Sequence, residues 1–223
     1  MRTLRIAVAL ATAVAMTGLL PATPASAAVP NVLTYGGGLP VVVGNILTSP
    51  LAPFTTATFT TGPNGTGIGT TCTTSNITGS VVANPISPGT ATVKINTQTF
   101  TGCTSTIPGV TLVTSVVVNN LPYNAMFSDA TGLPVTIVPI GGPIQITINE
   151  TFGTAISCVW QLNSSVYHGN YINIGSKAQL LNQQDHLIAG PGSGCGTTAQ
   201  FINVTYAPFI DSSVAPANQV FVN

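Results

Sequence analysis

Proton chemistry in this chain would have to come from a short inventory. It comprises His168, His186, Asp129, Glu150, Asp185 and Asp211, with Lys94, Lys177 and many hydroxyls beside them. Acyl transfer by a triad needs a histidine placed between a nucleophile and an acid. His168 or His186 with any aspartate supplies the residue types, so a secreted hydrolase using either histidine is one open reading. No G-x-S-x-G elbow accompanies them. The nearest fragment, Gly192-Ser193-Gly194-Cys195-Gly196, reads as a flexible loop carrying a half-cystine. Glycoside hydrolysis needs two carboxylates a fixed distance apart, and the spacing of the four acids selects no pair. A calcium site wants several acids close together, and these are scattered. No C-x-x-C pair occurs and the histidines are not at i, i+4 spacing, so neither zinc nor a redox dithiol is indicated. No metal, cofactor or catalytic residue is assigned from the sequence.

Three positions carry readings of their own. By strand parity His168 shares a face with Val166, Ile172 and Ile174, which makes it a half-buried histidine with a hydrogen-bond partner. Tyr167 and Tyr171 fall on the opposite face. His186, beside Asp185, reads as part of a polar turn. Parity from Ile144, Ile146 and Ile148 points Glu150 inward if that strand continues. An unpartnered buried carboxylate is costly, so the strand is expected to end or bulge near Asn149. If Glu150 is buried after all, it becomes the best functional candidate on the chain. Trp160, Tyr167 and Tyr171, with His168, are the weak ligand-binding candidates, as an aromatic platform of the kind that stacks on sugars. The core reading is favoured, because a sandwich commonly buries a tryptophan near a disulfide and Trp160 follows Cys158 by two.

The elements that must hold these residues are strands. Ile144, Ile146 and Ile148 alternate with Gln145, Thr147 and Asn149, the period of a strand with one buried face. Residues 91–96 and 202–206 repeat the pattern. Residues 110–118 are more continuously apolar and suggest a central strand covered on both faces. Further runs lie at 41–47, 55–61, 77–83, 135–140, 155–162, 166–174 and 219–222. Turn residues separate them, as at Gly62-Pro63-Asn64-Gly65 and Gly141-Gly142-Pro143. The best helical candidate is 176–184, where Ser176 and Gln179 fit a capping box; an edge strand fits as well. The expectation is one all-β domain over residues 28–223, an antiparallel sandwich or barrel-like fold with two disulfides and at most one short helix.

Residues 1–27 read as a secretory signal peptide. Arg2 and Arg5 precede an uncharged run from 6 to 20, and Ala25-Ser26-Ala27 ends it as a cleavage site. Export makes the four cysteines a disulfide framework. Three connectivities are possible; Cys72–Cys103 with Cys158–Cys195 is favoured, since each bond closes a loop within its own half. Without the leader the chain keeps two lysines against four acids, a formal charge of −2. Two lysines cannot neutralise a nucleic-acid backbone or anchor the chain to anionic lipid. The charged fraction is 4%, against roughly 25% in ordinary domains. Such a surface must be built of Thr, Ser, Asn, Gln and backbone.

The order of leader, Cys-strand-Gly-strand-Cys, Leu121-Pro122-Tyr123, Cys158-x-Trp160, Gly169, Cys195 and Val204-Thr205-Tyr206 resembles uncharacterised secreted proteins of actinobacteria. The resemblance implies export and a β-rich fold, and brings no catalytic residues. The reading is a secreted, non-enzymatic extracellular or cell-surface domain, structural, adhesive or ligand-binding. Cell-wall or surface polymers, or other proteins, are its expected partners. The hydrolase above is one alternative; an envelope β-barrel or a carrier of apolar ligands is the other.

Overall fold

A computed structural model describes residues 29–223; the expected leader, residues 1–27, lies outside the described residues. Fifteen strands follow one another: β1 (Leu33–Tyr35), β2 (Ile46–Pro50), β3 (Ala57–Thr60), β4 (Gly69–Ala83), β5 (Thr90–Ser105), β6 (Leu112–Asn119), β7 (Tyr123–Ser128), β8 (Pro134–Pro139), β9 (Gln145–Phe152), β10 (Thr154–Leu162), β11 (Tyr167–Ile172), β12 (Lys177–Ala189), β13 (Ala199–Tyr206), β14 (Ile210–Asp211) and β15 (Asn218–Val222). A single 3₁₀ turn, Pro63–Gly65, is the helical structure among the described residues. The β-branched and threonine-rich runs favour a pleated, half-buried surface.

All the long pairings are antiparallel, and they close. β3, β4, β5, β6, β9, β10, β12 and β13 form a ring of eight strands, each hydrogen-bonded to the next. Closure leaves this ring without free edges, which would otherwise invite pairing with other chains. The two long strands β5 and β12 also serve a second arc. β5 pairs with β6 at Thr99 and Phe100 and with β7 from Thr90 to Ile95, along the same edge. β12 does the same with β10 and β11. β7, β8 and β11 thus extend the barrel along its axis. β2, β14, β15 and β1 continue outward from β4.

Inward residues fill the ring in strand alternation. Val93 and Ile95 of β5, Ile146 and Ile148 of β9, Trp160 of β10 and Ile202 and Val204 of β13 are buried together. Phe59 meets Phe100 edge-on with centroids 5.3 Å apart. Phe127, Tyr171 and Phe209 form a T-shaped trio at the other end. Cys72 bonds Cys103 directly across β4 and β5, and Cys158 of β10 bonds Cys195 in the loop before β13.

Three expectations need correction. Residues 176–184 are neither helix nor edge strand: β12 is paired on both sides. A bulge between Leu180 and Gln183, with Asn182 at φ 55°, breaks its two-residue period. Ser176 is no helix cap, since its hydroxyl lies inside and donates to Val220 and Phe209 carbonyls. Residues 110–118 are not covered on both faces: β6 buries Val113 and Val116 and leaves Leu112 57% exposed. The two disulfide-tied halves lie side by side in one sheet, because β3 pairs with β13 and β6 with β9.

Candidate functional site

The strand that carries Ile144, Ile146 and Ile148 does not end at Asn149. β9 runs on to Phe152, and the register against β6 and β10 keeps Glu150 on the inner face, 2% exposed. The bulge expected on β9 falls on its partner β6, between Val113 and Ser115. Glu150 lines a small cavity of about 10 Å³ near the end of the eight-stranded ring, with Thr70, Trp160, Gln200 and Cys195 around it. Burial pushes its carboxyl up to about 7, the nearby Ser105 hydroxyl offsetting part of the shift. The sequence marked this residue only conditionally. Thr70 and Gln200 carried no signal in the sequence, because their inward placement depends on pairing partners far along the chain.

A second buried acid sits further inside. Asp185 of β12 is fully buried and accepts a hydrogen bond from Tyr167 Oη at 3.2 Å. Burial pushes this carboxyl up to about 7, with the Tyr167 hydroxyl and the nearby Gln200 amide opposing, while burial drives the Tyr167 phenol well above its ordinary value. Asp211 is also fully buried, but its Oδ2 accepts from Tyr35 Oη at 2.6 Å and from Asn45 Nδ2 at 2.5 Å.

The histidines lie on the other side of the wall. His168 is exposed on the outer face of β11, not half-buried, because Tyr167 and Tyr171 take the inner face. His186 belongs to β12 rather than to a turn, and its Nδ1 lies 2.6 Å from Asn163 Oδ1. Neighbouring residues of a strand point to opposite faces. Asp185 therefore lies inside and His186 outside, and the two do not form an acid–base pair. Trp160, Tyr167 and Tyr171 face the interior, as the core reading expects; they present no platform at the surface. Among the described residues no three His, Cys, Asp or Glu side chains gather in a metal-binding group.

Two other spaces differ in kind. The centre of the barrel holds a cavity of about 60 Å³ walled by Ile95, Phe100, Ile137, Ile146, Ile202 and other apolar side chains. The outer surface bears a groove of about 360 Å³ between residues 52–55 and 175–179, bordered by Lys177, Gln179, Thr205, Pro208 and Gln219. Phe54, in the turn beside it, is fully exposed at φ 62°. That turn is tied by Thr55, whose amide and hydroxyl donate to the Ala52 carbonyl at 3.1 and 2.7 Å. Left-handed backbone is uncommon for a bulky residue, and here it presents an aromatic ring to solvent.

No protein-family model, curated protein or solved structure matches the chain.

Proposed function

We propose that this is an exported, non-enzymatic domain that binds neutral, hydroxyl-rich polymers at a cell surface. One observation carries the reading: three of the four acids outside the leader, Glu150, Asp185 and Asp211, are buried. The described surface is left with Lys94, Lys177 and Asp129 as its formally charged side chains, and Asp129 is engaged at the Gly89 amide at 2.9 Å. The outer faces of β4 and β5 instead carry facing hydroxyl and amide pairs, Thr71 with Thr104, Thr74 with Thr101 and Asn76 with Thr99. Such a face recognises a neutral polyol through hydrogen bonds and has little to offer a charged partner. The two disulfides suit an oxidising compartment.

The groove beside Phe54 is the contact point this reading favours. Its volume falls in the ~300–1,000 Å³ range of ordinary ligand sites, and it joins amides, threonine hydroxyls and the Lys177 ammonium to an exposed ring beside it. The 60 Å³ central cavity is far below that range, which counts against a carrier of apolar ligands. The outer face mixes exposed Thr, Asn and Gln with scattered apolar residues such as Leu112 and Val117, which counts against a barrel set in lipid, whose outward residues should form a continuous apolar band.

The test is co-sedimentation of residues 28–223 with insoluble glucan and with isolated bacterial cell wall. Retention that changes less than about two-fold between 50 mM and 1 M NaCl is expected, because a neutral polymer releases no counterions and Lys177 is the one charged side chain bordering the groove. Phe54→Ala and Gln179→Ala should weaken retention. Binding that collapses with salt would overturn the reading, as would polymer cleavage that disappears in Glu150→Gln or His186→Ala.

A further inference from the structure

Four buried side-chain polar atoms among the described residues make no well-formed hydrogen bond in the protein: Thr70 Oγ1, Glu150 Oε2, Trp160 Nε1 and Gln200 Nε2, the last near enough to Asp185 to favour its charged form while keeping an N–H free. They come from four different strands, β4, β9, β10 and β13. All four residues line the same 10 Å³ cavity. Native proteins leave few such groups, because each lost hydrogen bond to a buried polar atom is costly. Four such groups bordering one small space call for a common partner.

We propose that this site binds a single water molecule that joins the four strands. Size selects the occupant, since about 10–15 Å³ is the space one water needs. No sugar, amino acid or nucleobase enters a space that small. Chemistry selects it too. The indole N–H of Trp160 and the amide N–H of Gln200 can only donate. The Glu150 oxygen and the Thr70 hydroxyl accept. Water accepts two hydrogen bonds and donates two, so the four roles are matched one to one. A metal cation would face two N–H donors, and a halide would face a carboxyl oxygen. Glu150 Oε2 still accepts as a carbonyl oxygen when the carboxyl holds its proton, so the water is retained in both protonation states.

The position gives the water a structural task. Cys195 borders the cavity, while Thr70 and Trp160 stand two residues from Cys72 and Cys158. The water therefore bridges the strands at the level where both disulfides close.

Three measurements test this. Trp160 is the chain's one tryptophan, so its indole N–H is a single resolved signal in the full domain. A cross-peak from that proton to a long-lived water is expected, and its absence would overturn the proposal. A crystal soaked in bromide should show a water-sized peak and no bromide in the cavity; bromide density there, or the four side chains turned to bond one another, would also overturn it. The third measurement is a double-mutant cycle with Thr70→Val and Gln200→Leu, near-isosteric changes at residues that share no hydrogen bond. Coupling through the shared water should make the combined effect depart at least about three-fold, in the unfolding equilibrium constant, from the product of the single effects. Strict independence of the two would count against it. If either variant fails to fold, the wild-type indole signal and the soak still decide.

Discussion

Two carboxyl groups inside this barrel keep their protons to near neutrality. Burial pushes Glu150 and Asp185 both up to about 7, from ordinary values near ~4 in an unfolded chain. Across that window the folded protein binds more protons than the unfolded one. Its stability is therefore full below the unfolded values and is lost as pH rises through about 7. Each group contributes on the order of 1–3 kcal/mol to that change. Urea unfolding should thus give a lower midpoint at pH 8 than at pH 5, and Glu150→Gln should flatten the difference by its share. Equal midpoints at the two pH values in the wild type would contradict the burial of both carboxyls. The histidines give the complementary expectation. With His168 exposed and His186 bonded to the exposed Asn163 at 2.6 Å, each His→Ala variant should stay within about 0.5 kcal/mol of the parent. Glu150 was legible in the sequence through the parity of Ile144, Ile146 and Ile148. What parity could not supply was the reason a carboxyl is tolerated there: the shared polar cavity, made by Thr70, Trp160 and Gln200 from distant strands.

At the scale of the element, two glycines show how closely the strands approach. A Cβ on Gly169 of β11 would lie 2.1 Å from the Gln179 carbonyl oxygen, and one on Gly79 of β4 would lie 2.7 Å from the Lys94 carbonyl oxygen. Backbone atoms cannot give way as a flexible side chain does. Gly169→Ala is therefore expected to destabilise by more than about 2 kcal/mol, as overpacking a fixed contact does. Gly141→Ala, at a turn with open space around the position, should stay within about 0.5 kcal/mol. A thermal scan of both variants checks the pair; similar melting points would contradict the close approach. Strand identity was legible wherever apolar and polar residues alternate, as in β9 and β13. It was not legible in two places, for different reasons. The first part of β4 is a run of Thr and Gly with no apolar period, held as a strand by its pairing with β3 and β5. β12 changes face at its bulge, so neither a two-residue nor a 3.6-residue period survives along it. The disulfide pairing could be favoured from loop closure, yet the facing register of Cys72 and Cys103 is set by long-range pairing.

For the whole molecule, the separation of interior from surface is the feature that bears on function. The interior holds three of the acids and most of the aromatic rings; the outside holds threonine, asparagine and glutamine together with single apolar side chains such as Phe54 and Leu112. A carrier would bind its ligand in the interior, and a surface binder would not use it. The central cavity distinguishes the two. Ala125 of β7 is buried and lines that cavity, whereas Ala91 of β5 is buried but does not. Ala125→Val places two more carbons into the 60 Å³ of space. It should raise stability by about 1 kcal/mol, the value of newly buried apolar surface where no overpacking follows. Ala91→Val should lower stability by about 1–3 kcal/mol, because the added carbons meet packed neighbours. Retention on glucan or cell wall should be unchanged in Ala125→Val, since the groove beside Phe54 lies on the outer surface. If filling the cavity abolished retention while the variant stayed folded, the ligand would have to enter the barrel, and the surface reading would give way to the carrier.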